Sequence, residues 1–244
     1  VSQYFDPMLI QRLRRLACDP YWEGDICYQE ESGQPVCLIA RPGGPIKLWL
    51  YPAPEGTGPR ARYAVGCDPG HGVGSTPSCL SIVRGATGEK VGEVMRADLS
   101  AKEFAAYAVA ICRLFVHAAS GGAHFVWEQQ GPGEVLGQRV IELGYRNIYC
   151  PDDGLDVSKT VKPKPGWYPS GRTKRLLLDA YTAALVSGEY SNPSDRALEQ
   201  CLDFRYDLQG NPEHPGEKNK KGDDPSAGGV NHGDMVIADA LAWK

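Results

Sequence analysis

The sequence predicts an α/β protein, a mixed sheet flanked by helices. Three observations lead there. From Tyr63 onward, three apolar strand-like runs follow one another through short Gly-rich turns, which implies antiparallel neighbours. A capped amphipathic helix comes next, and then a strand, a helix and another strand, an order that calls for a parallel crossover. At 244 residues, 42% hydrophobic and 23% charged, the chain has room for one main core and a small appendage.

Residues 1–58 read as that appendage and residues 59–244 as the main domain. Leu9, Ile10, Leu13 and Leu16 have helical spacing, so a short amphipathic helix spans Pro7 to Ala17. Short β runs follow around Ile26 to Gln29, Val36 to Ala40 and Ile46 to Tyr51, with turns at Ser32-Gly33 and Pro42-Gly43-Gly44. Pro52-Ala-Pro-Glu-Gly-Thr-Gly-Pro59 breaks both periodicities and marks the boundary. In the main domain the strands are expected at 62–67, 78–84 and 90–97. Ser100-Ala-Lys-Glu103 is a capping box, and Phe104, Ala108, Ile111 and Phe115 line one face of a helix reaching about Ala118. A strand at 123–128, a helix near 133–143 and a strand at 147–150 complete a five-stranded sheet. Helices near 172–187 and 195–203, a charged Gly/Pro loop at 207–230 expected to be mobile, and a last helix near 232–243 finish the chain.

Charge and cysteine usage exclude several classes. No apolar run approaches the roughly 20 residues of a membrane helix, and Val1-Ser-Gln-Tyr-Phe-Asp6 is not a secretory signal, so the expected location is cytoplasmic. A start without Met is what an excised or processed fragment, or tag removal, leaves behind, with the missing part upstream. The eight cysteines (18, 27, 37, 67, 79, 112, 150, 201) contain no Cys-x-x-Cys pair and read as small reduced core residues rather than a zinc site. The net charge of −4 argues mildly against a nucleic-acid partner, yet Val157 to Leu178 holds six basic residues and no acid: Lys159, Lys162, Lys164, Arg172, Lys174 and Arg175. That cluster is either a solvated loop or a surface that tracks phosphates.

Three carboxylates carry the chemistry. Asp68 ends the run Tyr63-Ala-Val-Gly-Cys-Asp68, and the glycines of Pro69-Gly-His-Gly-Val-Gly74 let a metal, phosphate or backbone approach it closely. It could otherwise cap a turn, or open a phosphate-binding loop of the actin-like kind. Glu128 ends His124-Phe-Val-Trp-Glu128, at the carboxyl edge where ligands of such sheets gather, unless it simply caps the next helix. Asp234 opens the last helix on the face shared with Ile237, Ala238 and Leu241, which aims it at the sheet edge; its plain alternative is complementing the helix dipole. Asp239 is expected to turn away, exposed to solvent or placed behind the ligands. His232 could ligate metal or touch DNA, although a lone His near a cap is more often structural. Three acids favour hard oxygen coordination, hence Mg²⁺ or Mn²⁺, and two such ions about 4 Å apart can cleave a phosphodiester.

The chain resembles the nuclease domain of the large terminase subunit of tailed bacteriophages, from about Tyr51 to the end. The stretches that carry the resemblance are Tyr63-Ala-Val-Gly-Cys-Asp-Pro-Gly-His-Gly72, Val126-Trp-Glu-Gln-Gln-Gly-Pro-Gly133, Leu143-Gly-Tyr145, Gly166-Trp167 followed by Thr173 and Arg175, and His232-Gly-Asp-Met-Val-Ile-Ala-Asp-Ala240. Their order and spacing, rather than any one motif, are specific. The resemblance implies a ribonuclease H-like fold and a Mg²⁺- or Mn²⁺-dependent endonuclease that cuts concatemeric viral DNA during genome packaging in the host cytoplasm. It implies metal ligation by Asp68, Glu128 and Asp234, and double-stranded DNA, a packaging ATPase domain of the same subunit, the small terminase subunit and the portal as partners. Lys159, Lys162, Lys164, Arg172 and Lys174 are then the expected DNA contacts. Gln130 stands where the family commonly has Asn, and Gly233 stands where many members have a second acid, which leaves the ligand count of one metal open. No Gly-x-x-x-x-Gly-Lys-Ser/Thr loop is present, so the motor is not in this chain. The competing readings are a Holliday-junction resolvase-like nuclease, an actin-like nucleotide-binding module and a non-catalytic docking domain.

Overall fold

The structure, a computed structural model, describes residues 2–50, 52, 62–72, 76–115, 121–151, 164–215 and 233–244. Its centre is a seven-stranded mixed sheet in the order β2-β1-β3-β6-β5-β4-β7. The strands are β1 (Trp22–Gln29), β2 (Gln34–Ala40), β3 (Ile46–Leu48), β4 (Tyr63–Asp68), β5 (Ser78–Arg84), β6 (Glu89–Arg96) and β7 (His124–Trp127). All neighbours are antiparallel except β4 and β7, whose connection carries the helix α2 (Ala101–Leu114) across the sheet. The expected mixed α/β class is therefore what the chain adopts.

Two features of the sheet differ from expectation. The strands expected in the appendage join the main sheet: β3 pairs with β6 through Ile46↔Val94 and Leu48↔Gly92, so the three N-terminal strands widen it. A hairpin this short cannot bury an apolar face alone, and the free edge of β6 supplies one. The strand expected at 147–150 is reduced to a single bridge between Ile148 and Phe125, because only this stretch of the segment reaches β7. The boundary stretch at 53–61 lies outside the described residues, as do 216–232 within the charged loop.

Helices cover both faces. On one face α2, and behind it α3 (Pro132–Glu142), pack on a cluster that includes Val65, Cys67, Leu80, Ile82, Phe125 and Trp127. On the other, α4 (Gly171–Ser187), α5 (Asp195–Cys201), α6 (Asp234–Trp243) and the N-terminal α1 (Pro7–Arg14) enclose Val83, Val126, Leu178, Tyr181, Phe204 and Val236. The small pair β8 (Arg205–Tyr206) and β9 (Pro212–Glu213) lies beside α5 in sequence. The capping box predicted at Ser100 is present, with Ser100 N–H donating to Glu103 at 2.8 Å and Glu103 N–H donating back to Ser100 Oγ at 3.3 Å. Of the cysteines, all unpaired by disulfides, four are core residues (67, 79, 112, 201). Cys18, Cys37 and Cys150 are exposed and Cys27 half-buried, because their strands and loops lie at the sheet margin.

Candidate metal centre

The sheet brings two of the three predicted acids side by side. Cys67 of β4 is the parallel partner of Trp127 of β7, and Glu128 N–H donates to Cys67 C=O at 3.0 Å, so Asp68 and Glu128 follow as neighbours at the carboxyl ends of adjacent strands. Side chains alternate between faces along a strand. Val65, Cys67, Phe125 and Trp127 belong to the α2 side, which leaves Gly66, Asp68, Val126 and Glu128 for the side covered by α6.

Gly66 explains how α6 comes close enough to matter. A Cβ there would lie 2.0 Å from the carbonyl oxygen of Ala238 and 2.4 Å from the amide of Ala242, so only Gly lets helix backbone rest on β4. Met235, next to Asp234 at the start of α6, packs with Cys79, the strand partner of Asp68, so the helix begins near the end of β4. Burial pushes the Cys79 thiol far above its ordinary range, and the charges of Asp234 and then Asp68 push it further. Burial also raises Cys67, with Asp68 and Glu128 among the charges adding to it. Cys79 is the strand partner of Asp68. One small region thus carries the negative field of all three carboxylates.

The edge is held rigidly on its other side. Trp167 N–H donates to Trp127 C=O at 2.8 Å, and Gln129 N–H donates to Trp167 C=O at 2.7 Å, so Glu128 lies between two strands' worth of backbone bonds. Trp127 Nε1–H donates to Gln129 Oε1 at 2.5 Å beneath it. The turn after Glu128 depends on Gly133, whose Cβ would meet Glu128 O at 1.7 Å. Asp234 is buried, with 6% of its surface accessible. Gly233 before it has φ +76°, and a Cβ there would come 2.5 Å from the Phe204 ring, so local packing and backbone leave no room for a second acid at this position.

A donor set of three carboxylates suits a hard divalent ion. Among the described residues, however, no three His, Cys, Asp or Glu side chains are drawn together closely enough to hold one as they stand. Like charges repel, so a cation supplies the attraction that closes such a set.

The predicted DNA contacts among the described residues lie on more than one element. Lys164 is exposed on a cleft of about 300 Å³ formed with Trp127, Gln129, Glu134 and Gln138. Arg172 is exposed at the start of α4, and Lys174 holds its ammonium 6.0 Å from the centre of the Phe204 ring. Lys159, Lys162 and His232 lie outside the described residues.

Of the two places expected for Asp239, the structure excludes exposure to solvent. Asp239 is fully buried and pairs with Lys90 Nζ at 2.9 Å, while Lys90 also meets Glu93 at 2.8 Å. Lys90 and Glu93 escape sequence reading because residues three apart in a strand ordinarily face opposite ways. An irregularity in β6 removes that rule: Ile82 pairs with Gly92 and Val83 with Lys90, so Val91 is an extra residue. Beyond it the alternation flips, and Lys90 and Glu93 share the α6 face.

No protein-family model matches the sequence, and no curated protein does. Solved structures match in fold. The large terminase nuclease from thermophilic phage G20c superposes with a TM-score of 0.53 at 16% identity, covering 96% of each chain. Its magnesium-bound structure gives 0.56 at 14% identity, covering 96% of this chain and 95% of that one. The Thermus phage P74-26 large terminase nuclease domain gives 0.55 at 16% identity, covering 96% and 93%. With TM-scores above 0.5 and near-complete mutual coverage, this chain has the fold of the phage large terminase nucleases.

Proposed function

We propose that the protein is a divalent-metal-dependent DNA endonuclease that cuts concatemeric viral DNA during genome packaging, with Asp68, Glu128 and Asp234 as its metal ligands and Mg²⁺ or Mn²⁺, two ions, as its cofactor. The observation that carries the reading is the meeting of Asp68 and Glu128 at adjacent strand ends on the face that α6 covers, with Asp234 heading that helix. The nuclease neighbours include forms with bound magnesium, cobalt and zinc, which favours a divalent-ion site in this fold.

Each residue has a definite task in this reading. Asp68 and Glu128, on strand ends fixed by backbone bonds, would hold the ions with little freedom to reorient, and Asp234 would complete the set from the helix. Bound ions at such a site activate a water and stabilise the leaving oxygen of a phosphodiester. Lys164, Arg172 and Lys174, with Lys159 and Lys162 further along the basic stretch, contact the phosphate backbone, which gives affinity without base readout. The packaging ATPase domain, the small terminase subunit and the portal are the partners proposed with this role.

Asp68→Asn tests the assignment. It removes the charge but keeps size and shape, so Mn²⁺-dependent cleavage of supercoiled plasmid should vanish while the melting temperature stays near wild type. Full cleavage by this variant would take Asp68 out of the chemistry.

A further inference from the structure

Helix α6 presents an orientation problem that apolar packing does not solve. Every residue from Asp234 to Ala242 is buried, and the helix carries apolar side chains all round, many of them alanine. Burial of apolar surface is not directional. The fit at Gly66 sets how near α6 lies to β4, but a buried ion pair penalises rotation or sliding in a way that non-directional apolar contacts do not.

Directional contacts hold α6 along its length. At its start, Met235 N–H donates to Gln200 Oε1 at 3.1 Å. One turn on, Asp239 Oδ1 meets Lys90 Nζ at 2.9 Å, and Asp239 Oδ2 accepts from Asn192 Nδ2 at 2.8 Å and from Tyr181 OH at 3.4 Å. Lys90 has no accessible surface, and its backbone is tied in turn, N–H to Ser191 C=O at 2.9 Å. The second acid, Glu93, belongs to β6 as Lys90 does, so only the Asp239 arm of the three-residue group crosses from sheet to helix.

We propose that Lys90 and Asp239 form a buried clamp that fixes the rotation and register of α6 on the sheet, making both positioning residues for Asp234. Shifting α6 would pull Asp239 off Lys90 and leave an uncompensated charge in the interior, which is strongly unfavourable. The clamp thus penalises alternative settings more sharply than hydrophobic packing does. Its functional consequence, holding Asp234 in place for the ions, rests on the nuclease reading; the fixing of α6 does not.

Two variants separate positioning from plain stability. Asp239→Asn and Glu93→Gln each neutralise one buried acid of the same group and leave Lys90 one charged partner, but only the former removes the charge from the link to α6. Amide hydrogen exchange of Met235, Val236 and Ile237, read without metal or DNA, should quicken about tenfold or more in D239N and stay near wild type in E93Q. Mn²⁺ affinity and plasmid cleavage should fall by about ten- to a hundredfold in D239N, as when groups that orient metal ligands are lost, with E93Q within about threefold of wild type.

Equal exchange at α6 in the two variants would overturn the clamp, whatever their melting temperatures. If D239N loses its cooperative melt, K90M/E93Q/D239N, which leaves no charge in the group, takes its place in the same comparison, with the same outcomes deciding. Faster α6 exchange in D239N together with a wild type that cleaves nothing would uphold the clamp and reject the nuclease reading.

Discussion

Glu93 shows how one buried carboxyl makes stability depend on pH. Burial alone would raise its affinity for protons, but Lys90, 2.8 Å away, together with a hydrogen bond from Ser194, holds it below its ordinary value. Burial likewise favours neutral Lys90, and the charges of Asp239 and Glu93 overcome that to raise it. A carboxyl whose folded value is depressed stabilises the native state above its unfolded value, about pH 4.3, and that contribution drains away as pH falls through the folded value. Lys90, being raised, keeps its contribution up to about pH 10.4 and loses it above. Urea unfolding should therefore show wild-type stability falling below about pH 4.3 and E93Q losing part of that acid dependence. An E93Q profile parallel to wild type between pH 3 and 5 would mean that Glu93 does not titrate with folding. Nothing at the residue level announced this group, since Lys90 and Glu93 look in the sequence like the polar positions of an ordinary strand. Asp68 and Glu128 were legible for the opposite reason: each ends an apolar run, where an acid has no reason to be unless it emerges at an edge.

At the scale of elements, what could be read depended on whether the signal was local. The Ser100 box, the Ser194 and Ser170 caps and the strand at 78–84 are set by neighbours in sequence, and the capped helices start within a residue of expectation, although α2 ends at Leu114 rather than near Ala118. The joining of β3 to β6 and the bulge at Val91 are properties of pairs of strands far apart in the chain, so no window of sequence contains them. The bulge has a sharp consequence. Deleting Val91 would restore strict alternation and rotate either Lys90 or Glu93 onto the apolar face that packs against α2, because a slip of one residue exchanges the faces of a strand. Burying an unpaired charge there costs several kcal/mol, a large share of the roughly 5–15 kcal/mol that holds a domain folded. The Val91 deletion should thus lack a cooperative thermal transition, whereas Val91→Ala, which keeps the count, should unfold cooperatively at a lower temperature. A deletion variant as stable as V91A would show that the register of β6 is free to adjust.

For the whole molecule, the fold class followed from the order of elements, but the site is a property of tertiary structure. Residues 68 and 128 end neighbouring strands because β4 and β7 pair in parallel, and Gly66 lets α6, which Asp234 heads, down onto β4. The three acids still fall short of a ready-made ion site among the described residues. An ion that draws them together binds the native chain and not the unfolded one, so it must stabilise the protein by mass action, by about 1.4 kcal/mol for each tenfold excess over its dissociation constant. For a chain of this size that is roughly 3–5 °C in melting temperature per decade of Mn²⁺. Wild type should show this rise, and Asp234→Asn should flatten it, since removing one acid from a set of three weakens the attraction for the ion. The control is the variant D68N/E128Q/D234N: if it gains as much as wild type at every Mn²⁺ concentration, the ion is bound elsewhere on the molecule. A rise in wild type that is absent from the triple variant ties the ion to the edge where the two strands end and the last helix begins.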